Sequence, residues 1–208
     1  EFLATIDPAN RGDTSLSWSP EFAGASAAGD FGFTTGPFNG DGAAFGYYFT
    51  VWRKQPSGDW RWIYDGGVDT KDPTTIDPAF TVALIAPPSG GEEKPDIAKA
   101  VVATLEAALA ISAAIDAPVS LGAQFASTAR MHRQDSAPAI GAKAIATALE
   151  AGPQTITFSQ TASYASADGD MVFTLGNASW DGGKGIYGRI WSHSEQGWRI
   201  VFDQIVLR

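Results

Sequence analysis

Two stretches of this chain, residues 15–66 and 154–207, consist of short runs of aromatic and β-branched residues broken by clusters of Gly, Asp, Asn and Ser. The breaks read AAGD (27–30), FNGDG (38–42) and PSGD (56–59) in the first stretch, and ADGD (167–170), WDGGKG (180–185) and SEQG (194–197) in the second. Clusters of this kind mark turns, and intervals this short leave room for hairpins but not for helical crossovers. The pattern predicts two antiparallel four-stranded meanders, over 15–28, 30–38, 44–54 and 59–66, and over 154–167, 169–180, 184–193 and 198–207.

Between the meanders the period becomes helical. In DIAKAVVATLEAALAISAAID (96–116) the Ala, Leu and Ile spacing predicts a helix from an Asp96 cap, after Pro95, to Ala114. Asp116, Ala117 and Pro118 open a shorter helix to about Ser127, with Pro118 near its first position. TARMHR (128–133) reads as a short strand, Pro138 opens a third helix, and Gly152 with Pro153 closes it. Residues 67–95 form a Pro-, Gly- and acid-rich linker holding one apolar patch, FTVALIA (80–86), expected to pack on a neighbouring unit.

The two meanders repeat each other. At an offset of 140, Ser19, Ala25, Ser26, Ala27, Gly29, Asp30, Phe33, Thr34 and Gly36 fall on identical residues. After a one-residue slip GYYFTVW (46–52) falls on GIYGRIW (185–191), and after another WRWIYD (60–65) falls on WRIVFD (198–203). Slips confined to turns are what a tandem duplication of one structural unit leaves behind. The first copy has no counterpart of residues 96–140, and EFLAT (1–5) then reads as the tail of a third helix. A meander without its leading helices would expose an apolar face, so either the natural chain continues upstream or another chain covers that face.

Composition narrows the partners. Apolar residues make up 44% of the chain, with seven Trp, enough for a sizeable core. With 14 Lys plus Arg against 23 Asp plus Glu, the net charge of −9 argues against nucleic acid and against an anionic membrane. There is no Cys, and with only two His no metal constellation or cofactor is expected. Arg11-Gly12-Asp13 is read as a turn, and Asn177-Ala178-Ser179 as a chance sequon.

The order helix, helix, short strand, helix and long meander, with Gly29-Asp30-Phe31-Gly32-Phe33-Thr34-Thr35-Gly36, Gly58-Asp59-Trp60-Arg61, Gly169-Asp170 and Gly197-Trp198-Arg199 with Asp203, resembles the nuclear transport factor 2-like fold and, more narrowly, the SnoaL-like proteins. The resemblance implies an α+β fold class of two cone-shaped units, each a curled antiparallel meander packed with helices, the first without its leading helices. Their expected bounds are 1–66 and 96–208, joined by 67–95. The units are expected to pack through their sheets as an intramolecular pseudo-dimer, leaving a soluble monomer of the cytoplasm or periplasm.

Candidate chemistry gathers in the second unit. Simple alternation, pairing His193 with Trp198, places Tyr187, Arg189, Trp191, Trp198, Ile200 and Phe202 on one face and Ile186, Gly188, Ile190, Arg199, Val201, Asp203 and Ile205 on the other. Arg189 between Tyr187 and Trp191 is a candidate to hold a carboxylate or enolate of a small-molecule ligand. Asp65 and Asp203 recur in corresponding strands; Asp203 is either a general base, as in ketosteroid isomerase of this fold class, or the partner of a nearby Arg such as Arg199. His132 lies on the short strand that borders the cavity in related proteins and is a second candidate base, whereas His193 sits at a turn. Three readings stay open: a module binding a small apolar or acidic molecule in the second cone, an isomerase, cyclase or hydratase using His132 or Asp203, and a scaffold whose cone is filled. A cavity reached by both His132 and Asp203 would favour the enzyme; a filled cone would favour the scaffold.

Overall fold

The computed structural model describes residues 16–40, 45–71, 74–77, 79–86, 88–91 and 94–208. The helix tail read at 1–5 and the tripeptide at 11–13 lie outside the described residues. The first half contributes strands β1 (Ser17–Trp18), β2 (Phe22–Ala25), β3 (Phe31–Asn39), β4 (Phe45–Lys54), β5 (Trp60–Asp69) and β6 (Ala83–Leu84). The second half runs α1 (Pro95–Ala113), α2 (Ala117–Gly122), β7 (Phe125–Arg133), β8 (Ala139–Ile140), α3 (Gly141–Glu150), β9 (Thr157–Ala165), β10 (Met171–Trp180), β11 (Gly183–Ser194) and β12 (Gly197–Leu207). Two six-stranded sheets result, ordered β5-β4-β3-β2-β6 with β1 also on β3, and β8-β7-β12-β11-β10-β9.

Several elements depart from the expected bounds. The strand expected over 15–28 is split into β1 and β2 around Pro20, which cannot donate to a ladder. α2 stops at Gly122 because Phe125, buried, starts a strand that pairs with Ile200. The third helix begins at Gly141 rather than Pro138, since Ala139 and Ile140 pair with Met131 and Arg130. α1 is entered from Lys94, without a side-chain cap; Asp96 sits in its first turn and pairs with Lys99 at 2.8 Å. β5 continues through Gly66, Gly67 and Val68, and in the apolar patch β6 adds a parallel edge strand to β2 with Ile85 buried beneath it.

The helices cover one face of the second sheet only. α1 turns Ala98, Val102, Glu106, Leu109 and Ala113 inward, a stripe at helical spacing that meets Leu121, Met131, Trp191 and Ile200. The opposite face of this sheet packs on the first sheet through a second core, in which Phe33 and Phe49 meet Phe173 and Phe202. The Phe49 and Phe202 rings lie 4.2 Å apart between centroids. No described helix covers the inner face of the first sheet, and no helix among the described residues is long and apolar enough to cross a membrane.

One irregularity decides which side chains face the helices. Between β11 and β12 the ladder runs Arg189 to Asp203 and Ile190 to Phe202, then Trp191 to Ile200, so Val201 is an extra residue. Such a bulge shifts the alternation by one position. Asp203 therefore lies beside Arg189 on the inner face, and Phe202 turns to the inter-sheet core, the reverse of the faces expected from simple alternation. The first sheet carries its bulge at the corresponding place, Ile63, between pairs Val51–Tyr64 and Trp52–Trp62.

Candidate functional site

Arg189 is wholly buried under α1, and its charge is answered from both sides. Its Nε donates to Asp203 Oδ2 at 2.5 Å, and its Nη1 donates to Glu106 Oε2 at 2.8 Å. The guanidinium carbon also stands 4.2 Å from the ring centres of both Phe158 and Tyr187, so the aromatic walls contribute a cation–π attraction in a water-free site. Glu106 collects further donors: Thr174 Oγ1 at 2.7 Å, Trp191 Nε1 at 2.8 Å and Tyr187 Oη at 3.3 Å.

Asp203 is shared with a second arginine. Arg133 Nη2 lies 2.6 Å from Asp203 Oδ1, and its Nη1 donates to the His132 carbonyl at 2.8 Å. Two guanidinium groups and two carboxylates thus form a neutral cluster, the arrangement that lets charges stay buried. Burial pushes the Asp203 carboxyl up, but Arg133 and Arg189 outweigh it and hold the group below the usual carboxylate range. Burial acts the other way on Arg189, where Glu106 and Asp203 prevail and keep it protonated. Burial and the neighbouring Glu106 raise the Tyr187 phenol.

This geometry reassigns the expected residues. Tyr187, Arg189 and Trp191 do come together on the inner face, where all three are fully buried against Glu106. Asp203 is paired with Arg189 and Arg133, not with Arg199, whose Nη1 donates to the Trp198 carbonyl. His132 does not border the cone. It points to the first sheet, with its ring 5.3 Å from Tyr47 and 4.9 Å from Phe202, so the sheet separates it from Asp203. Neither of its ring nitrogens has a hydrogen-bond partner among the described residues, and burial, with Arg130 and Arg133 nearby, pushes its pKa down to about 3.

Glu106 and Arg133 escaped the sequence reading. Glu106 had a signal: it is the single acid in VVATLEAALAIS, in phase with Val102, Leu109 and Ala113. Arg133 had none, since the end of a strand is an ordinary place for a charge. Arg133 reaches a cavity of the second unit, about 350 Å³ between α3, β7 and the end of β12. Its walls are apolar, chiefly Met131, Leu149, Ile156, Trp180 and Ile205. Among the described residues no cluster of three His, Asp or Glu side chains could hold a metal ion.

No family model matches this chain, and no curated protein does. Solved structures similar to it include a cystatin-like fold protein of unknown function from Nostoc punctiforme, at 13% identity and a TM-score of 0.46, covering 56% of this chain and 95% of that one. Another is nuclear transport factor 2 from Cryptosporidium parvum, at 17% identity and a TM-score of 0.44, covering 58% and 98%. A third is a nuclear transport factor 2-like protein of unknown function from Silicibacter pomeroyi, at 14% and 0.44, covering 54% and 98%. The likeness is one of fold.

Proposed function

We propose that this chain is a tandem duplication that works as a binding protein, holding a small, mainly apolar molecule with one acceptor or acidic group at the mouth of its second unit. The observation that carries the reading is the cavity of about 350 Å³ whose walls are apolar and whose charged side chain is Arg133, a quarter exposed along its length. Size and lining suit a small ligand fixed by few polar contacts. Binding without turnover is favoured over proton transfer because Asp203 is held ionised between two arginines and His132 lies across the sheet. A base needs both access to the substrate and an affinity for its proton, and neither group combines them. The packed sheets make the inter-unit contact internal, so the protein is a monomer in this reading.

The test is a thermal-shift and ligand-observed NMR screen with apolar carboxylic acids and ketones. Binders should be lost on Leu149→Trp, which fills the cavity, and weakened by Arg133→Met. A screen without binders, or binders indifferent to Leu149→Trp, would favour the scaffold reading instead.

A further inference from the structure

The first sheet keeps most of the machinery that grips Arg189, but not the arginine. Trp18 stands in register opposite Phe38 as Phe158 stands opposite Ala178, and Tyr48, Thr50, Trp52 and Asp65 occupy the places of Tyr187, Arg189, Trp191 and Asp203. The aromatic pair and the carboxylate that hold a guanidinium in the second unit are therefore present as Trp18, Tyr48 and Asp65. At the position of the guanidinium itself stands Thr50, whose hydroxyl donates to Asp65 Oδ1 at 2.6 Å. Asp65 is exposed and has no cationic partner among the described residues.

Among the described residues the same face is open where the second is sealed. A groove of about 480 Å³ runs over it, walled by Trp18, Phe38, Tyr48, Trp52 and Trp62. Trp18 and Trp62 are 60% and 50% exposed, a large apolar surface to leave in water. Gly67 takes the place of Ile205, which fills the corresponding space in the second unit. On that second sheet the face is occupied by a helix, α1, packed on β9 and β10.

We propose that the inner face of the first sheet docks an amphipathic helix of a partner protein that carries one arginine or lysine in the middle of its apolar side. The helix lies where α1 lies on the other sheet, and its cation supplies what Thr50 does not, seated against Trp18 and Tyr48 and paired with Asp65. Shape, apolar surface and charge all select this occupant: an acidic helix meets Asp65 and Asp69, and a purely apolar one leaves Asp65 desolvated and unpaired. The site is separate from the cavity of the second unit, and Leu149→Trp leaves it intact.

The experiment is a selection from a displayed library of helical peptides, apolar on one side with a randomised central position, against the full chain. The expected result is enrichment of Arg or Lys at that position. Asp65→Lys and Trp62→Ala should each weaken the selected peptides about tenfold or more, with the urea midpoint unchanged because both side chains are exposed. Enrichment of acidic or uncharged peptides, or affinity indifferent to Asp65→Lys, overturns the proposal. So does N-acetyl-arginine amide binding as tightly as the peptides, which would make the groove a small-cation site. Peptide binding that appears only after removal of residues 1–15, or self-association abolished by Trp62→Ala in sedimentation, would assign the face to this chain itself and overturn it equally.

Discussion

Asp30 and Asp170 serve each other's turns. Asp170 Oδ2 accepts a hydrogen bond from the Ala27 N–H at 2.8 Å, and Asp30 Oδ2 accepts one from the Ala167 N–H at 3.0 Å. Each also takes the hydroxyl of the serine four residues earlier, Ser26 at 2.9 Å and Ser166 at 2.6 Å. The glycines before them, at φ +64° and +62°, hold the left-handed conformation that closes both turns. The repeated Gly-Asp is thus a reciprocal contact between the sheets, and the phrase recurs because the contact has two ends.

Asp170 is fully buried and Asp30 half-buried. Removing a buried acceptor strands its donors, at about 1–3 kcal/mol. Asp170→Ala is expected to lower stability in urea denaturation by that amount and Asp30→Ala by less. The reverse order would contradict the assignment.

Arg189→Met leaves Glu106 and Asp203 facing each other's side of an apolar gap. Breaking one partner of a buried ion cluster costs about 3–5 kcal/mol. Adding Glu106→Leu removes the stranded carboxylate, so the double variant should be more stable than Arg189→Met alone. Losses that simply add in a double-mutant cycle would show that the two side chains do not act as a unit.

His132 makes the fold acid-sensitive above the range where carboxylates titrate. Its folded pKa of about 3 lies below the unfolded value near 6.5. The stability it contributes is therefore complete above about pH 6.5 and is lost as pH falls toward 3, with a slope of up to about 1.4 kcal/mol per pH unit. Between pH 7 and 5 the expected loss is about 2 kcal/mol, and His132→Leu should abolish most of it. The check is the urea midpoint of both proteins at the two pH values.

Deleting Val201 removes the bulge and leaves Trp191 opposite Ile200, Ile190 opposite Phe202 and Arg189 opposite Asp203. Regular alternation then keeps Ile200 and Asp203 toward α1 and Phe202 in the inter-sheet core, so the cost is the buried Val201 side chain and the local twist of the strand. The cooperative unfolding transition and the near-UV circular dichroism signal should persist, and their loss would show that Val201 is not the residue the ladder skips. Val201→Ala keeps the register and should cost only about 1–3 kcal/mol.

The sequence by itself determined the long strands, the long helix and the repeated phrases, but not the break at Pro20 or the short edge strands β6 and β8. Turn clusters, strand alternation and the 96–116 helical period act over a few residues, so they are legible without the fold; so was the presence of Tyr187, Arg189 and Trp191 on one face, which needs only the alternation of a single strand. The partners of Arg189 were decided by tertiary structure alone. Glu106 lies 83 positions away on another element. Asp203 reaches Arg189 only because WRIVFD carries an extra residue in its ladder, and nothing in the apolar triplet Ile200-Val201-Phe202 marks Val201 as the one displaced. His132 could have faced either side of its strand, and it faces Tyr47 because the first sheet packs there. Local pattern fixes which side chains alternate; the bulge and the packing of distant segments fix what each one meets, because those contacts are chosen by the burial of whole faces and not by neighbours in sequence.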